Sequence, residues 1–400
     1  MENNYNIVDF EDIADIYIIN TCTVTNISDR KSRQMIRRAK HNNKDALIVA
    51  VGCYAQVAKS ELEKIDEIDL ILGTNEKKDI IKLIEKHMTK TSDVMNEKEY
   101  IDFGNITYTE KTRAVIKVQD GCDRFCSYCI IPYARGRVRS RKIENVLEEI
   151  KKVVKKGTKE VVITGIHVAS YGKDFTPKKS LIELLENINE IEGLERIRLG
   201  SLEPTIITDE FVNRLKGLNK ICDHFHLSLQ SACDTTLERM NRKYTINEFK
   251  KCVEILRNAF PNSGVTTDII VGFPGETQQE FETTYKNLKD INFYQMHIFK
   301  YSPRKGTKAA LMTNQIESKI KEERSKILLD LTNRQKTEFE KRYIGKTIEV
   351  LVEEKEENFL KGHTSNYLEI YCKGNDDLEN KIVKIRLESL YKNGIFGTVI

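Results

Sequence analysis

The chain has no tryptophan, and no apolar run approaches the twenty or so residues a membrane helix needs. Its start lacks the charged-then-apolar pattern of a secretory signal. A cytoplasmic location is therefore the default expectation. An excess of one charge is also missing. The formal net charge is +4 over 400 residues, so the whole molecule is not a polycation. Any nucleic-acid contact has to come from local basic clusters. No serine-hydrolase grouping or carboxylate pair stands out, and no general base is assigned. Cysteine is odd in number, nine residues at uneven spacing. In a cytosolic chain of this size that argues against a disulfide framework and for metal ligation or single buried thiols.

What is present is an ordinary globular composition, 40% hydrophobic, in a chain long enough for two or three domains. Residues 1–95 alternate short apolar runs with helical stretches. Ile16–Asn20, Leu47–Val51 and Leu70–Leu72 read as strands, and Asp29–Lys40 as a basic helix. Strands alternating with helices predict an α/β domain with a parallel sheet. A polar stretch over 90–112 reads as a linker.

Residues 108–338 repeat the strand-then-helix pattern, with strands at Ala114–Val118, Glu160–Thr164, Arg196–Leu199, His224–Leu229, Thr267–Val271 and Tyr294–Phe299. Six parallel strands are too few for a closed eight-fold barrel. A partial (β/α)6 barrel fits, with its site at the C-terminal strand ends. Lys319–Tyr343 reads as a long charged helix able to bridge domains. Residues 340–400 then read as short strands, a small all-β module in the form of a five-stranded barrel.

The chemistry is concentrated after the first barrel strand. Cys122, Cys126 and Cys129 are separated by three and then two residues. Three thiolates at that spacing can ligate three irons of a four-iron cluster and leave the fourth iron open to a small molecule. A structural zinc loop or an electron-transfer cluster would want a fourth ligand nearby, and Ile130, Ile131, Pro132 and Tyr133 supply none.

This loop, with Tyr128 before its last cysteine, resembles the radical S-adenosylmethionine (SAM) superfamily. The continuation Ile130–Ile131–Pro132–Tyr133–Ala134–Arg135–Gly136, with Val138–Arg139–Ser140–Arg141, resembles its methylthiotransferase branch. Leu227–Ser228–Leu229–Gln230–Ser231, the run Asp268–Thr277, and Tyr301–Ser302–Pro303–Arg304 carry the likeness along essentially the whole chain. Asn20–Thr21–Cys22–Thr23–Val24–Thr25–Asn26 and Arg30–Lys31–Ser32–Arg33 are similar to the MtaB-type enzymes, which modify threonylcarbamoyladenosine beside a tRNA anticodon.

The resemblance implies SAM bound at a [4Fe-4S] cluster on Cys122, Cys126 and Cys129. It implies one electron from a reduced flavodoxin or ferredoxin, a 5′-deoxyadenosyl radical, and transfer of a methylthio group to carbon 2 of the adenine. Family position suggests that Tyr128, Thr164, Gly165, Gln230 and Ser231 line the cofactor site. The neighbouring substrates in the family are isopentenyladenosine in tRNA and an aspartate of a ribosomal protein. A chain acting as a monomer is expected.

Cys22 and Cys53 each follow a predicted strand, at a sheet edge where ligands bind. Two lone cysteines are by themselves more often buried thiols. The resemblance implies instead a second [4Fe-4S] cluster here. The family's third ligand lies in an N-terminal strand and turn that this sequence does not contain. Two explanations fit: a start further upstream, or a damaged second cluster in a protein that only binds RNA. A flavodoxin-like strand order would then leave Cys22 and Cys53 on strands flanking a gap.

Two basic runs are candidates for tRNA phosphates. Arg30, Arg33, Arg37 and Lys40 share a helix face by spacing. Arg135, Arg137, Arg139 and Arg141 alternate and would line one face of an extended segment. A solvated charged face explains either run equally well. The terminal module, with Lys361–Gly362–His363–Thr364–Ser365–Asn366–Tyr367, resembles the TRAM RNA-binding barrel, with Tyr367 as a candidate base-stacking residue. Cys222, Cys233, Cys252 and Cys372 read as structural.

Overall fold

A computed structural model describes residues 5–102 and 112–400. The chain forms two compact units. The first gathers the N-terminal sheet, Asp120–Arg137 and Ser302–Leu311; the second holds most of the remainder. No helix among the described residues is long and apolar enough to cross a membrane.

In the first unit, β1 (Ile16–Thr21), β2 (Leu47–Gly52) and β3 (Leu70–Leu72) form a parallel sheet in sequential order. The helix Asn26–Asn42 starts where the Thr25 hydroxyl accepts the Ser28 amide, a serine/threonine N-cap. It packs Ile36 and Ala39 with Tyr17, Ile19, Ile48 and Ala50 on one sheet face. Val49, Val51, Leu70 and Leu72 pack with Leu83 and Ile84 on the other.

The sheet departs from the expected order at one point. β1 is hydrogen-bonded directly to β2, from Ile16↔Leu47 to Thr21↔Gly52, so no gap separates them. The unpaired edge of the described sheet is instead the outer side of β1, where Ile18 is 46% exposed. The stretch read as a linker also departs from expectation where it is described. Lys90 exchanges backbone bonds with Ile71 and Gly73 beside β3, and Val94 is buried. Lys90 is held because its backbone groups find partners at the sheet margin, and Val94 because its side chain is buried. The rest of that stretch, 103–111, lies outside the described residues.

In the second unit, β4 (Arg113–Asp120), β5 (Arg139–Ser140), β6 (Glu160–Gly165) and β7 (Arg196–Leu199) form one sheet in the order β5-β4-β6-β7. β8 (His224–His226), β9 (Gly264–Val271) and β10 (Gln295–Lys300) form another. Parallel bridges at Ile197↔Ile221 and Leu202↔Leu227 join them, so six parallel strands follow one another as β4-β6-β7-β8-β9-β10. This is the partial barrel expected. Its apolar core runs from Ile116 and Ile163 to Val265, Ile269 and Met296 under the crossover helices.

Helix Ser318–Lys341 does not stand free between domains. It lies on β10, with the Thr332 hydroxyl accepting the Met296 amide at 2.7 Å, and buries the Arg324–Glu276 ion pair at 2.6 Å. It leads into a closed five-stranded barrel: β11 (Thr347–Glu356), β12 (Phe359–Thr364), β13 (Glu369–Lys373), β14 (Ile382–Tyr391) and β15 (Gly394–Val399). The buried Arg198, paired with Glu160 at 2.6 Å, donates to the carbonyls of Thr364 and Ser365 in the turn after β12. Charged groups thus join this barrel to the larger one, each satisfied as buried polar groups must be.

Candidate functional site

The loop Gly121–Cys129 is shaped by its own backbone. Gly121 has φ +71°, and a Cβ there would lie 1.8 Å from the Arg137 carbonyl, so only glycine fits. Its amide donates to Asp120 Oδ1 at 2.9 Å. The Cys122 amide donates to the Gly136 carbonyl, and the Cys129 amide to that of Cys126, each at 3.0 Å. The Arg124 amide points at Cys122 Sγ, 3.4 Å away. A backbone N–H aimed at a sulfur suits a thiolate ligand and tunes cluster potential. All three thiols are half-buried, and none is in a disulfide. From the 302–311 segment, the Ala309 amide donates to the Ser127 carbonyl at 2.8 Å and closes the loop.

Cys22 and Cys53 belong to the same compact unit as this loop. Strand register aligns them: Thr21 pairs with Gly52, and each cysteine is the next residue. Neighbouring strands lie about 4.8 Å apart, so the two chains leave the sheet side by side. Gly52 has φ +113°, and a Cβ would meet the Thr21 carbonyl at 2.7 Å. The Thr21 hydroxyl donates to the Val51 carbonyl and accepts the Ala55 amide. Both bonds fix the turn that carries Cys53.

Two arginines frame this edge. Arg135 is held protonated against the effect of its burial by Asp120, 3.4 Å away, and by Cys53, to which it hydrogen-bonds. Arg304 is buried and donates to Asn26 Oδ1 and Asp29 Oδ2, each at 2.6 Å, and to the Thr23 hydroxyl. It anchors the segment beginning at Ser302 to the Cys22 loop. Sequence reasoning assigned Arg304 no role, because nothing local to Tyr301–Arg304 reveals partners almost three hundred residues away.

Comparison with known proteins gives this arrangement a lineage. The Radical SAM superfamily matches residues 116–288, and Uncharacterized protein family UPF0004 matches residues 1–73. The threonylcarbamoyladenosine tRNA methylthiotransferase MtaB of Bacillus subtilis is 40% identical over 100% of this chain and 92% of its own length. Its counterpart in Aquifex aeolicus is 41% identical over 96% of this chain and 94% of its own. The chain belongs to the radical SAM tRNA methylthiotransferases. Another relative is the tRNA-2-methylthio-N(6)-dimethylallyladenosine synthase of Clostridium novyi, 34% identical over 99% of this chain and 90% of its own. Among solved structures, the radical SAM methyltransferase TsrM of Kitasatospora setae, with cobalamin and a [4Fe-4S] cluster bound, superposes with TM-score 0.54 at 15% identity. That match covers 72% of this chain and 63% of TsrM, a likeness of fold alone.

In a methylthiotransferase the thiol set has to accept a cluster, and the loop fits. It offers three half-buried thiols on one short loop, a glycine where backbone crowds, and an N–H already directed at a sulfur. The remaining cysteines differ. Burial pushes the Cys222 thiol up to about 12, and those of Cys252 and Cys372 up to about 11, which disfavours the thiolate a metal needs.

The other sequence-predicted residues fall into two groups. Tyr128 is half-buried in the cysteine loop. Thr164 and Gly165 end β6, Gln230 lies past β8 with φ +73°, and Ser231 is buried and caps the Cys233 amide. The left-handed Gln230 is held by its backbone, its amide donating to the Asp268 carbonyl and its carbonyl accepting the Ile270 amide, each at 2.8 Å. On the basic helix, Arg30 is exposed and Arg37 stands at the surface, 3.9 Å from Glu67, while Arg33 bonds the Tyr54 hydroxyl.

The arginine run after the cysteine loop is not one extended face. Arg135 ends the helix Ile131–Arg135, and Arg137 is exposed beside Asp123. Arg139 is 1% exposed, and Arg141 is buried in an ion pair with Glu149. Gly136, at φ +76°, breaks the alternation that the sequence suggested. Tyr367 is likewise engaged within the second unit. Its ring stacks 4.7 Å from those of His224 and His363, with the Arg198 guanidinium 4.8 Å away. Those ring contacts occupy Tyr367, and burial removes Arg139 from the RNA-facing surface.

Proposed function

We propose that this chain adds a methylthio group to carbon 2 of N6-threonylcarbamoyladenosine beside the anticodon of tRNA. The observation that carries this reading is identity near 40%, over almost the whole chain, with enzymes named for that reaction. The five cysteines of the first unit supply the chemistry it requires.

Cys122, Cys126 and Cys129 would hold the [4Fe-4S] cluster that binds SAM. When bound and reduced, the cluster supplies the electron that cleaves SAM to a 5′-deoxyadenosyl radical. Cys22 and Cys53 would give two ligands to a second cluster. Arg135 balances thiolate charge there, and Arg304 keeps the Cys22 loop in place. By family position, Thr164, Gly165, Gln230 and Ser231 of the second unit and Tyr128 of the cysteine loop would each contribute to SAM binding. Residues 108–338 would act as the radical SAM core and 340–400 as an RNA-binding barrel of the TRAM type. Arg30, Arg37 and Arg137 have the exposure that phosphate binding needs.

The test is nucleoside mass spectrometry of tRNA from a bacterium lacking its own enzyme and supplied with this one. The 2-methylthio derivative of threonylcarbamoyladenosine is expected. Appearance of the derivative of isopentenyladenosine alone would transfer the assignment to the neighbouring substrate.

A further inference from the structure

Three metal-ligating side chains lie together in the second unit, outside every role assigned above. His226 ends β8, Asp268 lies in β9 and His297 in β10. Register gathers them: His226 pairs with Thr266, and His297 with Asp268. Thr266 and Asp268 are two residues apart on one strand and share a face. All three donors therefore project from one side of three adjacent strands. The opposite side sends Phe225, Val265, Ile269 and Met296 into the core.

One donor atom from each residue lies within 4.8 Å of the other two. His226 Nε2 is 3.2 Å from Asp268 Oδ2, and the His226 and His297 rings are 5.7 Å apart. We propose that His226, Asp268 and His297 form a binding site for a divalent first-row transition ion such as zinc.

Two imidazoles and one carboxylate are a donor set that zinc and ferrous iron both accept. The single negative charge of Asp268 beside two imidazoles attracts a cation and repels an anion. Ligand bonds of about 2.0–2.2 Å at tetrahedral angles place donor atoms roughly 3.3 Å apart. The His226–Asp268 edge already has that spacing, and the exposed His297 has room to close the rest.

The surroundings also suit a ligand. Thr266 Oγ1 lies 3.0 Å from His226 Nδ1 and 3.1 Å from His224 Nε2. This hydroxyl engages the far nitrogen of His226 and turns Nε2 toward Asp268, the outer support that metal-bound histidines require. His226 Nε2 and the Asp268 carboxylate face each other across 3.2 Å, and an ion between them takes the imidazole nitrogen in its unprotonated form. Three protein ligands leave a position open to water or an oxygen donor, which distinguishes this site from a closed structural one.

The full chain, with its clusters reconstituted anaerobically, is equilibrated with micromolar zinc and desalted, and zinc and iron are measured together. The wild type should retain about one zinc per chain beyond its iron. His226→Ala/His297→Ala should lose that zinc at unchanged iron. If the double variant does not fold, His297→Ala alone changes an exposed side chain and should weaken zinc by about tenfold or more in chelator competition. Zinc retained equally by the variants, or absent from the folded wild type, overturns the site.

Discussion

The two cysteine sites of the first unit are built on opposite principles. Cys122, Cys126 and Cys129 are held by one short loop whose hydrogen bonds run mostly within Asp120–Gly136. Cys22 and Cys53 are far apart in sequence and reach adjacent strand ends only because Thr21 pairs with Gly52. The first arrangement survives as long as a local turn does. The second depends on a sheet, and so on every long-range contact that holds β1 against β2. A local site is specified by spacing, whereas a site made by register is specified by the cooperativity of the fold.

The sharpest way to break this contrast is Cys126→Ala. Product should fall below detection, and reconstituted iron should drop by about four per chain. Cys53→Ser should also abolish product while leaving the iron of the loop cluster in place. Nucleoside mass spectrometry and an iron assay read both, and product from Cys126→Ala would dissolve the distinction.

Arginines divide in the same way between local and assembled environments. Glu149→Ala breaks the buried ion pair with Arg141 and should cost about 3–5 kcal/mol in denaturant unfolding. Arg37→Ala, at the surface, should cost under about 0.5 kcal/mol. Equal losses would remove the difference between the two environments.

A smaller effect isolates the register. Gly52→Ala forces a left-handed backbone and a clash with the Thr21 carbonyl. It should cost about 1–3 kcal/mol and lower iron at the second site, with the loop cluster intact. Equal loss from both sites would mean that the two are not independently built.

Smaller again, Arg30→Ala/Arg37→Ala should weaken tRNA binding a few-fold. It should reduce the slope of log affinity against log salt by about 0.9 for each phosphate the protein no longer neutralises. A slope identical to wild type would confine these side chains to solvation.

The least effect concerns pH. Glu280 is held down to about 2, chiefly by its hydrogen bonds to Arg239. Its stabilising contribution is complete above the ordinary glutamate value of 4.5 and is lost as pH falls toward about 2. Arg239→Met should flatten unfolding stability across that interval, and an unchanged pH profile would show the pair to be inert.

Much of the fold was legible because periodicity is local. Leu47–Val51 announced itself as an apolar run, Arg196–Leu199 as an alternation of arginine with isoleucine and leucine, and both are strands. The cysteine loop was legible for the same reason, its spacing being its chemistry. Arg139 and Tyr367 were misread because a side chain's partners are not written beside it. Arg139 sits in an alternating basic run, yet Gly136 turns the backbone and buries it. Tyr367 sits in a polar turn, yet its ring meets His224 of β8, far away in sequence. The strand order around Cys22 was misjudged because the sequence alternates strands and helices identically for either neighbour arrangement.

By itself the sequence determined the cysteine loop, the succession of six parallel strands and the closing β module, because each rests on spacing or periodicity over a few residues. Only the tertiary structure decided that β1 lies directly against β2, that Arg304 fastens a distant segment to the Cys22 loop, and that His226, Asp268 and His297 meet. Those outcomes depend on strand register and burial, and the energies that select them come from interactions between residues the sequence places far apart.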